Sequence, residues 1–500
     1  MSFFDTIPWM IWIVTLPLAA AILTFLFPRI AAGLSLLMGF TMSIPAIGLC
    51  MQVVRMGSQR YAIGDWGAPL GIELYADGLA TAMIALTALV ALSTTVYARS
   101  YFSHTQPIQD QPERPSADYF WPLWMFLWAA LNALFLSGDI FNLYVTLELT
   151  SLSAVALVAL AGGAALRAAM RYLLVSLLGS LIYLLGVVYL YAFSGTLSLN
   201  VLGSRIDDSL ACLTALALMA GGLIMKTALF PMHFWLPPAH ASAPAPVSAA
   251  LSGLVVKASF YLLLRLWFDV FMTAVTVPIS DILGLMGAAA VFWGSLNALR
   301  AKRLKLLIAY STVAQLGYLF LVFPLVGTLE DGVTAWLGCI YFIFAHACAK
   351  AAAFFSAGAV RYALGHDNIN DMVGIVRCLP VPVFAFAIAG ISLMGLPPSG
   401  GFIAKWLLIN AALVQGQWWW VVLILAGGLF SAAYIFRVFS KTFAFKTETV
   451  DARPISLGFQ YPALGLALFT LILGIIAPYP LTLLQIDSPL SGPVLQTVLP

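Results

Sequence analysis

Apolar stretches of about twenty residues, the length that crosses a bilayer as a helix, recur along the whole chain. Short clusters of charge, proline and glycine separate them. Cutting at those clusters predicts fourteen spanning helices, centred near residues 18, 41, 87, 128, 150, 182, 221, 257, 289, 316, 346, 395, 429 and 472. An even number puts both termini on one side. Two polar connectors are longer than the rest: residues 53–76, and 100–118 with Pro107, Asp110, Pro112 and Glu113.

Basic residues fix the orientation, because loops rich in Lys and Arg stay on the cytoplasmic side. Loops after odd-numbered spans carry Arg29, Arg99, Arg167, Arg300, Lys302, Arg303, Lys305, Arg361, Arg377, Arg437, Lys441 and Lys446, among others. Loops after even-numbered spans carry only Arg55, Arg60 and Arg205. A single missed span would destroy that asymmetry. Both termini are therefore expected to face away from the cytoplasm. The opening Met-Ser-Phe-Phe-Asp lacks the positive segment of a cleavable signal, so the first apolar stretch is expected to remain as a helix.

Composition agrees with the pattern. The 500 residues are 62% hydrophobic and 9% charged, with mean hydropathy +1.00, against about a quarter charged in soluble proteins. That excludes a soluble enzyme, a disordered chain and a disulfide-stapled secreted domain. Lys plus Arg (23) barely exceeds Asp plus Glu (20), so nothing points to nucleic acid. The five cysteines form no CxxC pair, which leaves iron–sulfur, zinc and thiol-redox chemistry unsupported and reads as apolar filling. No cofactor and no metal site are expected.

The candidate chemistry lies in charges placed where membrane helices rarely have any. An ionisable side chain near the bilayer centre costs at least about 2.5–3.5 kcal/mol. This chain has Glu148 in the fifth span, Lys226 in the seventh, Lys257 in the eighth, His346 and Lys350 one helical turn apart in the eleventh, and Lys405 in the twelfth. Snorkelling to a helix end can account for Arg265 or Lys405 taken alone. It cannot serve four central lysines together. Their cost must be offset by mutual pairing or interior water, and a row of lysines that gain and lose protons makes a proton path.

Two helix breaks point the same way. The seventh span carries Pro231 to Pro238 and the twelfth Gly395 to Gly401, each with a Leu-Pro-Pro step. Proline removes a backbone donor and clashes with the preceding turn. Unwound backbone at membrane depth is tolerated only inside protein or beside a wet cavity. Two such breaks five spans apart suggest two inverted five-helix repeats, each with a transport site. His233 and His240 flank the first break with no third ligand near, so a metal site is rejected there. Asp139 reads as the cap of the fifth span.

SGDIFNLYVTLEL, KTALFPMHFWLPPAHASAPAPVSAALSGLVVK, LLIAYSTVAQLGYL and GLPPSGGFIAKW resemble signature segments of the antiporter-like subunits of respiratory complex I, membrane-bound hydrogenases and Mrp-type cation/proton antiporters. The resemblance covers roughly residues 70–440. It implies that Glu148 pairs with Lys226, that Lys257 hands protons along the mid-membrane axis, that His346 and Lys350 relay them, and that Lys405 is the terminal proton site. The chain has Arg303-Leu304-Lys305-Leu306 where an acid often precedes Leu-Lys-Arg, so the pattern does not support a loop salt bridge there.

GDWGAPLGIELYADGLA looks most like the D-type subunits of Mrp antiporters. The resemblance thus implies a proton-translocating subunit of a multisubunit Na⁺/H⁺ antiporter in a bacterial inner membrane, working with other membrane subunits, protons, Na⁺ and the lipid bilayer. A redox-driven complex or an inorganic-carbon uptake complex are the alternatives, and a non-transporting scaffold is the structural one. The expected partition is a single transmembrane domain: residues 1–118 with spans 1–3, 119–275 as first repeat, 276–445 as second repeat, and 446–500 with span 14.

Overall fold

A computed structural model describes residues 6–68, 71–104, 117–326, 332–444 and 452–490. The connector residues Pro107, Asp110, Pro112 and Glu113 lie outside the described residues, as does Lys446. Among the described residues, 13 helices are long and apolar enough to cross a membrane. The one expected span missing from that count, the twelfth, is present as two 15-residue helices, Pro380–Met394 and Gly400–Val414, each too short to cross alone. The break that the proline pair dictates is thus what separates the two counts.

Spans 1 to 6 run Trp9–Leu26, Pro28–Met56, Gly78–Ser103, Asp118–Leu136, Ile140–Ala159 and Gly163–Ser194. Spans 7 to 11 are Leu210–Ser242, Ala245–Val270, Val277–Arg300, Leu304–Leu325 and Gly332–Leu364. Span 12 is the broken pair, and spans 13 and 14 are Trp418–Thr442 and Leu457–Ile475. Helices prevail because a bilayer offers no water to backbone N–H and C=O groups, which must pair within their own segment. The connector after span 2 holds the exception: β1 (Gln59–Ala62) pairs antiparallel with β2 (Glu73–Ala76), Arg60 opposite Tyr75.

Spans 8 and 11 are wholly buried within the bundle, whereas the apolar windows of spans 1, 2, 13 and 14 are little more than a third buried. The outer spans give their Leu, Ile and Phe side chains to lipid. Close approach of inner helices relies on small residues, as is usual in membranes. A Cβ on Gly179 of span 6 would come 2.8 Å from the carbonyl of Gly222 on span 7. Glycine therefore lets these two helices touch beside Lys226.

Both breaks begin in the same way. The first part of span 7 (Leu210–Thr227) ends at Ala228, which is left-handed (φ 58), with Ala228 N–H donating to Met225 O and Leu229 N–H to Ile224 O. The first part of span 12 ends at Gly395 (φ 82), with Gly395 N–H on Ser392 O and Leu396 N–H on Ile391 O. This paired closure is the Schellman cap. It satisfies two of the last four carbonyls of each half-helix and leaves the others for side chains.

Candidate functional site

Lys226 sits one residue before the end of the first half-helix of span 7, where its ammonium reaches span 5. Its Nζ lies 2.9 Å from Glu148 Oε1 and 2.8 Å from Ser151 Oγ. Glu148 and Ser151 are three apart and share a helix face. Lys226 is 5% exposed, while the Glu148 side chain keeps 14% of its surface open. The pair is a nearly dry ion pair with one side open to whatever lies beside span 5.

Next to Lys226 in the chain, a hydroxyl pair joins spans 7 and 8. Thr227 Oγ1 lies 3.2 Å from Ser259 Oγ, two residues along span 8 from Lys257. Lys257 is fully buried and donates to the carbonyl of Ser252. Ser252 belongs to Leu251–Val255, a stretch of π-helix, which is a frequent device at functional sites. Ser252 Oγ lies 2.9 Å from Thr312 Oγ1 on span 10. Thr312 donates to Ile308 O at 3.0 Å, and the same carbonyl accepts from Lys350 Nζ at 3.1 Å. Lys350 also donates to Ser311 Oγ. An unbroken line of contacts therefore joins Lys257 to Lys350 through one face of span 10.

His346, one turn from Lys350, is 2% exposed. Neither ring nitrogen meets a hydrogen-bond partner among the described residues, and the ring stacks on Phe342 at 5.9 Å. It lies within electrostatic reach of Lys257, Lys350 and Lys405 together.

Lys405, on the second half of span 12, turns back onto the first half. Its Nζ donates to Leu393 O at 3.2 Å and Met394 O at 3.0 Å, the two carbonyls the Schellman cap leaves open. The negative end of a helix dipole favours a cation there. The ammonium also stands 4.8 Å from the Tyr318 ring centroid. Lys405 is 5% exposed and Arg265 is 3% exposed, so neither snorkels. Arg265 instead makes a bidentate pair with Asp77, both contacts at 2.6 Å, and reaches Asp269 at 3.1 Å.

All six expected residues therefore lie inside the bundle, and Glu148 with Lys226 forms the expected pair. Several polar partners carry no motif of their own. Ser252, Ser311, Thr312, Gln315 and Tyr318 supply the links, and a signal for part of them is present: polar positions 311, 315 and 318 recur at helical spacing in an apolar span. Lys305, expected in a cytoplasmic loop, is a correction. It is 1% exposed and donates to Ala243 O, at the joint between spans 7 and 8. His240 is fully buried with both nitrogens unpartnered by described residues.

Asp139 does cap span 5, accepting from Phe141 N at 2.9 Å and Asn142 N at 2.7 Å. The loop before span 10 has a salt bridge after all, because Arg303 Nε lies 2.8 Å from Asp367 Oδ1; the acid comes from 64 residues downstream, where no local motif could announce it. Cys212, Cys339 and Cys348 are buried fillers as expected, but Cys378 is exposed. No group of three or more His, Cys, Asp or Glu suited to a metal occurs among the described residues.

Residues 137–433 match the family described as "NADH:quinone oxidoreductase/Mrp antiporter, TM". The N subunit of the NADH-quinone oxidoreductase of Desulforudis audaxviator is 38% identical over 404 residues, covering 80% of this chain and 78% of that protein. The D subunit of the Na(+)/H(+) antiporter of Alkalihalophilus pseudofirmus is 30% identical over 442 residues, covering 87% of each. Among solved structures, a chain of the Mrp complex from Dietzia sp. DQ12-45-1b superposes with TM-score 0.86 at 23% identity, over 97% of this chain and 96% of that one.

Proposed function

Because the chain belongs to the NADH:quinone oxidoreductase/Mrp antiporter transmembrane family, we propose that it is the proton-translocating, antiporter-like subunit of a multisubunit membrane complex. One observation carries this reading: four buried lysines, Lys226, Lys257, Lys350 and Lys405, are each held by neutral oxygens or a single carboxylate, and contacts through Ser252, Thr312 and Ile308 join Lys257 to Lys350. The hydroxyls can pass a proton, each donating one and accepting another, while the carbonyls hold the ammonium groups in place.

Under this reading Glu148 controls loading of Lys226. While the pair is closed the charged lysine is favoured; when a neighbouring subunit draws Glu148 away, the ammonium loses its counter-charge and releases its proton inward. Lys257 accepts it, the Ser252 and Thr312 hydroxyls carry it from span 8 to span 10, the Ser311 hydroxyl on the same face meets Lys350, and His346 bridges toward Lys405, the exit. The open side of Glu148 is where a partner acts, so coupling between subunits is electrostatic and reciprocal. The two halves of the path belong to the repeats over 119–275 and 276–445, with helix breaks in spans 7 and 12 as their hinges.

The driver has two readings. Exchange against Na⁺ in an Mrp-type complex is favoured by the relative from the Na(+)/H(+) antiporter, aligned over 87% of the chain. A redox driver is favoured by the relative from NADH-quinone oxidoreductase, at 38% identity. Under either driver the chain sits in a bacterial inner membrane in this reading, and the Lys and Arg of the loops after odd-numbered spans support termini on the outside. Purification from native membranes with mass spectrometry of co-purifying chains separates them. Small hydrophobic subunits mean a secondary antiporter, and an iron–sulfur or nickel protein means a redox pump. Replacing Lys226 or Lys405 by Ala must abolish coupled transport in an assembled complex; normal transport by both variants sinks the proposal.

A further inference from the structure

Spans 1, 4 and 5 enclose a groove of about 580 Å³ on the outside of the bundle. Small side chains make its floor: Ala21 and Pro122 are buried, and Ala156 and Ala159 are half-buried. Ile22, Phe25 and Leu26 form its rim, each more than half exposed. The span 1 residues of the lining, from Leu18 to Leu26, recur at helical spacing on one face. At 1.5 Å per residue they cover about 12 Å, close to the depth of one leaflet in a hydrocarbon core of about 30 Å.

The lining comes from the end of span 1, the start of span 4 and the end of span 5, so the groove lies at one membrane face. That face is the one with the basic loops. Arg29 follows Leu26 directly, in the turn Pro28–Ile30, and Arg167 stands near the start of span 6, just after span 5 ends. Both are exposed, and neither has an ion pair among the described residues. Asp118, exposed at the start of span 4, offsets one of them and leaves an excess of positive charge. Tyr119, on the groove and 57% exposed, takes the headgroup level that aromatic side chains favour.

Water does not suit this groove. Tyr119 is the one lining side chain with a polar atom, and a confined water needs two to four partners. Left empty, the lining would forfeit its dispersion contacts. A partner helix is too thick to enter, since two turns at a diameter of about 10 Å fill about 850 Å³. A single extended apolar chain has the right section and length. We propose that the groove holds one acyl chain of an anionic phospholipid, with its phosphate against the guanidinium groups of Arg29 and Arg167. Lipid tails are all equally apolar, so the tail alone would exchange freely with the bilayer. The charges at the mouth decide which lipid stays. Guanidinium groups pair with phosphate through two parallel hydrogen bonds, and basic clusters beside membrane helices retain anionic headgroups. A zwitterionic lipid brings its own ammonium group to the same positive mouth and is held less well.

The test uses the purified complete complex in phosphatidylethanolamine nanodiscs with a trace of phosphatidylglycerol that carries a diazirine on one tail. After illumination, mass spectrometry maps the labelled peptides. Label is expected to concentrate on residues 18–26 and 119–126, and excess unlabelled phosphatidylglycerol should displace it saturably. Ala156→Phe fills the groove and should abolish this labelling. Should that variant fail to assemble, Ala159→Leu, a smaller filling, must reduce it. Arg29→Gln should raise the concentration of phosphatidylglycerol needed for displacement about fivefold, the scale of one basic residue at an anionic lipid surface. Label spread evenly over the outer spans would mean bulk lipid only and overturn the site. Displacement by phosphatidylethanolamine as readily as by phosphatidylglycerol would overturn the assignment of an anionic headgroup. Cross-links from a photoreactive residue at position 22 to a protein chain instead of lipid would show another occupant and overturn the proposal. Proton transport by the complex bears on none of these outcomes, so this inference and the translocation reading fail separately.

Discussion

Ser252 and Thr312 share a hydrogen bond of 2.9 Å between spans 8 and 10, midway between Lys257 and Lys350. Both residues are fully buried. Ser252 meets Lys257 through its carbonyl and Thr312 through its hydroxyl. In the π-helical stretch Leu251–Val255 the Val256 amide donates to Leu251 O rather than to Ser252 O, its α-helical partner.

Thr312→Val keeps the shape of the side chain and removes the hydroxyl. The variant should fold, since Ser252 is a single neutral group whose stranding costs about 1–3 kcal/mol. If protons cross between the two halves here, flux should fall by roughly tenfold, the equivalent of about 1.4 kcal/mol in the barrier. Proton uptake by proteoliposomes carrying the assembled complex measures it. Wild-type flux in both Thr312→Val and Ser252→Ala would remove span 10 from the path.

Glu148 and Lys226 predict opposite outcomes for single and double variants. Glu148→Leu strands a buried ammonium, which costs about 3–5 kcal/mol when a buried pair is broken on one side. Glu148→Leu combined with Lys226→Met leaves no charge and is expected to recover most of the thermal stability, while transport stays absent. A melting series on the wild type, both single variants and the double decides this. A double variant no more stable than Glu148→Leu alone would mean the pair holds the bundle together through something other than charge.

The span count, the two breaks and all six charged positions were legible in the sequence because each violates the apolar rule of a membrane helix. What the sequence hid were contacts that cost nothing in composition. Ser252 and Thr312 look like ordinary small polar residues of a membrane helix, and the carbonyls of Leu393 and Met394 carry no side-chain signature. Lys305 reads as a loop residue because it follows Lys302 and Arg303. The helix starts one residue earlier, at Leu304, and turns Lys305 inward. Asp367 decided that geometry from a distance, accepting the Lys305 amide at 3.1 Å and pairing with Arg303.

Arg265 and Asp77 anchor the end of span 8 to the start of span 3, and neither has water to fall back on: their side chains are 3% and 2% exposed. Asp77 also caps span 3 through Ala80 N at 2.8 Å. Asp77→Ala removes both roles and should cost about 3–5 kcal/mol, seen as loss of folded protein in detergent. Arg265→Lys keeps the charge but cannot make two parallel bonds. It should melt between wild type and Asp77→Ala. Equal stability of Arg265→Lys and wild type would show that charge alone, not the fork, holds span 8.

Asp487 ties the segment after span 14 to this corner. Tyr75 OH donates to its carboxylate, and the amide of Gly78 donates to Ile486 O at 3.0 Å. The hydrogen bond from Tyr75, aided by Ser58, Arg60 and Arg265, holds the Asp487 carboxyl below its ordinary value. A carboxylate whose folded pKa is depressed stabilises above its unfolded value, about 3.9, and loses that contribution as pH falls through the folded value. Hydrogen-exchange protection of the Gly78 amide should therefore be constant from neutral pH down to about 4 and drop below it. Tyr75→Phe should lower the protection a few-fold at every higher pH, the scale of one largely exposed hydrogen bond. Protection that rises on acidification, or that is unchanged by Tyr75→Phe, would show that Ile486 is held to Gly78 without help from Asp487.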